Sequence, residues 1–233
     1  MDRHDARFKL KPVYDKWGDK YIQAKSTNFY PEGNREHTSP FVQVEYVTGE
    51  QKGIVENVEY DYLINATGPR LKFEATEGLM QDGKSVSVCS YTHAEEAWSK
   101  LQASIKKMAQ GEEQTFLIGT GHGSATCQGT AFEYILNVEY EIAKRGLRDK
   151  AKIIWISNEY EMGDFGMGGA FIKRGGYITS TKIFAESYLV QRNIDWITKA
   201  GVYKVYGKKA YHETLDREYL EQAYDFAMLI PAF

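Results

Sequence analysis

The sequence predicts an α/β fold in which an antiparallel β-meander precedes a domain built on a parallel sheet. Three observations carry this. Apolar and polar residues alternate from Tyr21 to Ala66. A glycine-rich loop, 119–124, joins a short apolar run to a helical pattern, and a second apolar run, 152–157, follows that helix. Alternation at a period of two marks half-buried strands, whereas strand, glycine loop, helix and strand form a βαβ unit, whose crossovers are nearly always right-handed. The second part is therefore Rossmann-like.

In chain order, YIQAK, FVQVEYV and VENVEYDYLINA read as strands separated by PEGN and TGEQKG turns. FVQVEYV and VENVEYDY flank GEQKG as a hairpin would. The run Tyr62–Ala66 is more continuously apolar, which predicts a strand buried on both faces. Thr92-His93-Ala94-Glu95 fits a capping box with Thr92 as N-cap, and Ala94, Trp98, Leu101 and Ile105 then mark one helical face to about Met108. GEEQ breaks that helix, and Thr115–Ile118 reads as a buried strand. After the glycine loop, Ala131, Ile135, Val138 and Ile142 share a helical face, with Gly146 as the expected C-cap. KIIWIS is the next strand. A glycine-rich stretch, GDFGMGGAFIKRGG, leads to a helix expected over 180–191. Strands are expected near 194–197, 202–206, 210–213 and 225–230. These elements divide the chain into residues 1–75, a connecting segment with its helix at 76–113, and a dinucleotide-type domain at 114–233.

Composition narrows the function. With 42% hydrophobic and 26% charged residues, the chain is that of a globular protein. Lys+Arg 29 nearly balances Asp+Glu 32, so no global basic footprint points to nucleic acid or an anionic membrane. The pairs Lys106-Lys107 and Lys173-Arg174 are read as solvated positions. No stretch reaches the length of a membrane span, and the charged opening MDRHDARFKLKP has no signal-peptide core. Asn65-Ala66-Thr67 matches a glycosylation sequon at the end of an apolar run and is not read as one. Two cysteines, Cys89 and Cys127, argue against a disulfide-rich scaffold. No C-x-x-C or G-x-S-x-G is present, so no metal site and no serine hydrolase is expected.

The glycine loop, Gly119-Thr120-Gly121-His122-Gly123-Ser124, matches G-x-G-x-x-G except at Ser124. In that motif the first glycine permits the turn and the second, here Gly121, lets backbone approach a pyrophosphate. Two readings stay open: an NAD(P) loop, or the same domain shape with no nucleotide. Glu159 is a late candidate for the ribose-binding acid. Cys127 falls at a helix start, where unpaired N–H groups and the helix dipole favour a negatively charged sulfur, and His122 is near in sequence. The alternative is a small buried hydrophobe packing helix on sheet. Cys89 precedes the expected cap, and a Cys89–Cys127 disulfide is open on spacing.

Four segments together, YDYLINATGPRLKFE, VCSYTHAEEAW, GTGHGSATCQGTAFEY and RDKAKIIWISNEYEMGDFGMGG, resemble sulfide:quinone oxidoreductases. These are flavoproteins with two dinucleotide-binding domains. The terminal YDFAMLIPAF fits the same family, and the resemblance covers most of Tyr60–Phe233. It implies that the β-meander is part of an FAD-binding domain and that Thr67, Gly68 and Pro69 lie beside FAD. Cys127 falls on the family's redox cysteine and Cys89 on an auxiliary one, while His93 and Glu133 match polar positions near the sulfide and flavin site.

The implied activity is transfer of electrons from sulfide, through a cysteine persulfide and FAD, to a membrane quinone. The implied setting is peripheral, on a prokaryotic cytoplasmic membrane, and a homo-oligomer is compatible with it. The family's N-terminal FAD loop and its C-terminal third have no counterpart here. That third carries the second redox cysteine, the quinone pocket and the membrane-docking helices. The expectation is a central fragment, soluble and inactive alone. Three rivals are the flavoprotein subunit of a flavocytochrome c sulfide dehydrogenase, a type II NADH:quinone oxidoreductase, and a non-catalytic interaction module.

Overall fold

A computed structural model describes residues 8–233, apart from the side chain of Asp82; the charged opening MDRHDAR lies outside the described residues. The chain forms two compact units, one ending at Thr67 and the other running from Gly68 to Phe233.

The first unit opens with a short helix, α1 (Lys11–Trp17), that the hydrophobic pattern did not announce. Its signals were Pro12 just inside the start and Gly18 just past the end, the latter at φ 77°. Three strands follow, β1 (Ala24–Tyr30), β2 (Phe41–Tyr46) and β3 (Val55–Glu59), paired antiparallel in the order β1–β2–β3. The meander and the hairpin form as expected, but the first strand runs over Ala24–Tyr30 and overlaps the expected YIQAK only at Ala24-Lys25. Phe41 and Val42 are buried, and Phe41 stacks on Tyr30 with centroids 4.4 Å apart. The buried strand expected at Tyr62–Ala66 does not form. Among the described residues no strand pairs with it, and Tyr62 and Ile64 are 95% and 91% exposed. An apolar run becomes a strand only where a neighbour satisfies its backbone groups.

The second unit contains α2 (Tyr91–Ala109), β4 (Gln114–Thr120), α3 (Gln128–Ala143) and β5 (Ala151–Ile156). Then come β6 (Phe171–Arg174), β7 (Tyr177–Ser180), α4 (Thr181–Gln191) and β8 (Ile194–Ile197). It closes with β9 (Ala200–Tyr206), β10 (Lys209–Thr214), β11 (Tyr219–Ala223) and β12 (Phe226–Ile230). Strands β12–β4–β5–β8 form a parallel sheet, and β11–β10–β9 an antiparallel one.

Alternation along the parallel strands divides the core. Phe116, Ile118, Ile153, Trp155 and Met228 pack with residues of α2, α3 and α4. Leu117, Ile154, Ile156 and Leu229 pack on the other side with Val202, Val205 and Ala210 of the antiparallel sheet. The sheet therefore lies between helices and a second sheet, with β12 returning beside β4 from the far end of the chain.

Three local expectations are corrected. The N-cap of α2 is Ser90, whose hydroxyl accepts His93 N–H, two residues before the expected Thr92. The buried face consists of Ala97, Leu101, Ser104, Ile105 and Met108, which keeps Leu101 and Ile105 of the expected face but leaves Ala94 exposed and Trp98 52% exposed. Helix α3 ends at Ala143 with Lys144 as C-cap, and Gly146 at φ 70° serves the turn beyond it. The hairpin β6–β7 lies within the segment read only as glycine-rich, and its signal was the Gly175-Gly176 pair between two short apolar-polar strands.

Gly119 pairs with Ile156 in the parallel ladder, and a Cβ placed on it would lie 1.7 Å from the Ile156 carbonyl oxygen. Gly129, in the first turn of α3, would meet nothing within 4 Å. Gly119→Ala is therefore expected to cost about 3 kcal/mol or more in urea unfolding, while Gly129→Ala is neutral or stabilises by up to about 1 kcal/mol. Equal stabilities of the two variants would contradict this packing.

Candidate active site

The loop between β4 and α3 is held by one side chain from beyond β5. Asn158 donates through Nδ2 to the carbonyls of Gly123 (2.8 Å) and Ala125 (3.0 Å), and its N–H donates to Thr120 Oγ1 (3.0 Å). Its Oδ1 accepts from Gln128 Nε2 at 3.0 Å, and the same Nε2 reaches the Ala125 carbonyl at 2.9 Å. Gln128 is buried in the first turn of α3. Asn158 and Gln128 thus fix where α3 begins, a role sequence reasoning missed. Their signal was position, since both lie at the carboxyl ends of the parallel strands, where α/β sheets place ligand chemistry.

The consequence is that Cys127 is the N-cap of α3. Its thiol is half-buried and free, with Sγ 3.3 Å from Thr130 Oγ1. It packs against the helix-side core together with Cys89, Tyr134 and Phe165. His122 turns elsewhere: its Nδ1 accepts the Ser124 N–H (3.0 Å) and lies 2.9 Å from Ser124 Oγ. The His122 ring is therefore engaged with Ser124, where it closes its own tight turn.

Cys89 sits one residue before the α2 cap and is also half-buried and free, so no bond joins the two cysteines. Burial pushes the Cys89 thiol up, a hydrogen bond from Ser87 pulls it down, and the nearby charge of Cys127 raises it again. The two sulfurs are thus within electrostatic reach of each other. Ser87 is fully buried and acts as the hub: its hydroxyl accepts Cys89 N–H (3.1 Å) and lies 3.1 Å from His93 Nδ1. His93 also meets the ring of Phe73 edge-on at 5.3 Å. Ser87 went unnoticed in the sequence, although Ser85-Val86-Ser87-Val88 alternates like a strand. Val86 does bridge in parallel to Met228 at the edge of the sheet.

Glu133 stands apart, exposed on the outer side of α3. Thr67 closes a small turn in which Asn65 Oδ1 accepts its N–H (3.2 Å) and hydroxyl (2.9 Å). Gly68 follows at φ 78° with open space around it, and Pro69 is exposed.

The remaining glycine-loop groups face inward. Gly121 N–H donates to the Ile230 carbonyl at 2.7 Å, its own carbonyl accepts from Thr76 Oγ1 at 2.6 Å, and a Cβ on it would meet Leu229 at 3.0 Å. Glu159, the expected ribose acid, is buried and accepts from Ser157 Oγ (2.7 Å) and from the Phe165 N–H. Its carboxyl is turned into the protein, which corrects that expectation. Among the described residues no group of three or more His, Cys, Asp or Glu could hold a metal ion.

No protein-family model matches the chain. The α/β fold matches that of FAD-dependent oxidoreductases. Within that class the chain resembles sulfide-quinone reductase. It is 33% identical to the sulfide-quinone reductase of Aquifex aeolicus over 98% of its own length and 46% of that protein. The X-ray structure of the sulfide:quinone oxidoreductase from Aquifex aeolicus superposes with a TM-score of 0.75 and 29% identity, over 100% of this chain and 47% of that one. A NAD-dependent persulfide reductase from A. fulgidus shares the fold at a TM-score of 0.54 and 17% identity, over 95% of this chain and 33% of the other. The chain thus spans about half the length of the curated relative it matches.

The hydrogen bonds at Cys89 set a test of this geometry. In Ser87→Ala the downward influence on Cys89 is lost, so its alkylation profile moves to higher pH. In Cys127→Ser the neighbouring charge is lost and the profile moves to lower pH. Rates of Cys89 labelling against pH, read by peptide mass spectrometry, check both signs; shifts in the same direction would contradict the arrangement.

Proposed function

We propose that this chain is the thiol-bearing part of a flavoprotein that oxidises sulfide. The observation that carries the reading is the pair of free, half-buried thiols, Cys89 and Cys127, brought against one core at the carboxyl ends of the parallel strands. The similarity to sulfide-quinone reductase over 98% of the chain supports it.

Cys127 is the proposed reacting group, because it is the thiol at a helix start, where backbone N–H groups stabilise anionic sulfur. A hydrosulfide ion joins Cys127 Sγ as a persulfide: one sulfur–sulfur bond forms, and the joined pair of anionic sulfurs gives up one proton and two electrons. FAD, when bound, supplies the acceptor for that electron pair. Thr67, Gly68 and Pro69 are the residues proposed to lie beside it. Gly68 adopts a positive φ and has no atom within 4 Å of where a Cβ would lie, so its backbone is open on that side. Cys89, half-buried and packed against the same core as Cys127, is the proposed auxiliary thiol, held by Ser87 and in turn by His93. Glu133, exposed on α3 and apart from these groups, is given no role in the step.

Electrons leaving the site are proposed to reach a quinone at a membrane, as the names of the relatives suggest. The division proposed for the chain places residues 1–75 in an FAD-binding domain, 76–113 in a connection and 114–233 in the second dinucleotide-type domain. A reading as an NAD(P)H enzyme is disfavoured. The Gly121 and Ser124 amides, which would face a pyrophosphate, donate to Ile230 and His122, and Glu159 is turned inward.

In the full-length protein that contains this chain, anaerobic sulfide is expected to bleach the flavin, and NADH is not. Cys127→Ser should abolish sulfide-dependent bleaching while leaving the flavin bound. Bleaching of that variant at the wild-type rate would overturn the assignment, and bleaching by NADH alone would favour the dehydrogenase.

A further inference from the structure

The hairpin β6–β7 serves no part of the site just described. Its four strand pairs, from Phe171↔Ser180 to Arg174↔Tyr177, join the two strands only to each other. A two-stranded hairpin is marginal in water unless something holds it. Here the base is held: Thr181 N–H donates to the Ala170 carbonyl (2.8 Å), and Ala170 N–H donates to Thr181 Oγ1 (2.9 Å). Beside it Lys182 pairs with Glu161 at 2.9 Å. The turn itself, Gly175-Gly176, has both residues at positive φ, 56° and 84°, which suits a tight two-residue hairpin.

The hairpin carries apolar and basic side chains on both faces, from Phe171 beside the base to Arg174 and Tyr177 at the turn. Phe171, Lys173 and Ile178 share one face, and Ile172, Arg174 and Tyr177 share the other. Phe171, Tyr177 and Ile178 are 79%, 68% and 60% exposed. Neither Lys173 nor Arg174 forms an ion pair among the described residues. Residues 165–185 contain no Asp or Glu but do contain Lys173, Arg174 and Lys182, in a chain whose formal net charge is -3. The pair read from sequence as ordinary solvated lysine and arginine therefore stands at the tip of a rigidly based, acid-free projection, among large apolar side chains.

We infer that this hairpin is a docking element for an anionic lipid surface, inserting Tyr177, Ile178 and Phe171 at the headgroup boundary while Lys173 and Arg174 meet lipid phosphates. Aromatic and aliphatic side chains mixed with basic ones are what that boundary accepts, and each Lys or Arg near an anionic leaflet contributes about 1 kcal/mol. Charge selects this occupant over a second copy of the chain, because a symmetric contact would bring two acid-free basic patches together. The inference deepens the proposal of an acceptor at a membrane, while its test reads lipid binding alone and does not depend on sulfide oxidation.

The test is co-sedimentation of the 233-residue chain with vesicles of phosphatidylcholine, alone or mixed with phosphatidylglycerol. Binding to the mixed vesicles, falling with added salt, is expected, with little binding to phosphatidylcholine alone. Lys173→Gln with Arg174→Gln should weaken it about thirtyfold, and Phe171→Ser with Ile178→Ser by more than about tenfold. Lys106→Gln with Lys107→Gln, exposed on α2, should leave it unchanged. Circular dichroism of each variant confirms that folding is retained. Equal binding to both vesicle types, or wild-type binding by the Lys173 and Arg174 variant, would overturn the inference. So would hairpin-dependent self-association without vesicle binding, which would assign the face to a second copy.

Discussion

The approach of β4 to β5 at Gly119 is the constraint on which the site depends. The ladder brings Gly119 so close to the Ile156 carbonyl that no side chain fits between them. One residue further on, β4 ends at the fully buried Thr120, and the chain passes into a loop at the carboxyl edge of the sheet. Asn158, leaving the same edge two residues after β5 ends, then ties Thr120, Gly123 and Ala125 together. With the loop fixed and Gln128 buried in the first turn of α3, the N-cap can fall only at Cys127.

This order of causes changes how the glycine motif is understood. Glycines at such a loop are usually explained by the ligand they admit. Here the chain itself fills the space: β5 claims Gly119, β12 claims the Gly121 amide, and Leu229 and Leu79 pack where a Gly121 side chain would lie. A nucleotide-binding architecture is retained as a frame, and what the frame presents is a sulfur at the start of a helix. Cys89 reaches the same core by another route, at the end of a segment running beside β12, with buried Ser87 joining it to His93.

Much of this was legible in the sequence because periodicity reports burial. The face of Ala131, Ile135, Val138 and Ile142 is the buried face of α3, and KIIWIS is the strand it crosses to. Errors arose where tertiary partners decide. Tyr62–Ala66 has the composition of a core strand but no strand beside it among the described residues. Ser90 competed with Thr92 for the same cap, and local spacing could not choose between two hydroxyls two residues apart. Within the site, the cysteines were visible because they are rare and reactive, whereas Ser87, Asn158 and Gln128 are common residues whose importance lies in what they touch. Glu159 looked available because an acid after a strand suits a ribose, yet the Phe165 amide and Ser157 draw it inward.

The central claim is that Cys127 is the sulfur that reacts, and the most direct measurement locates sulfur on the protein. The full-length protein loaded with FAD is given one equivalent of sulfide without quinone, alkylated, digested and read by mass spectrometry. One added sulfur atom is expected on the peptide carrying Cys127. Added sulfur on Cys89 instead, or on neither cysteine while the flavin is reduced, would contradict it.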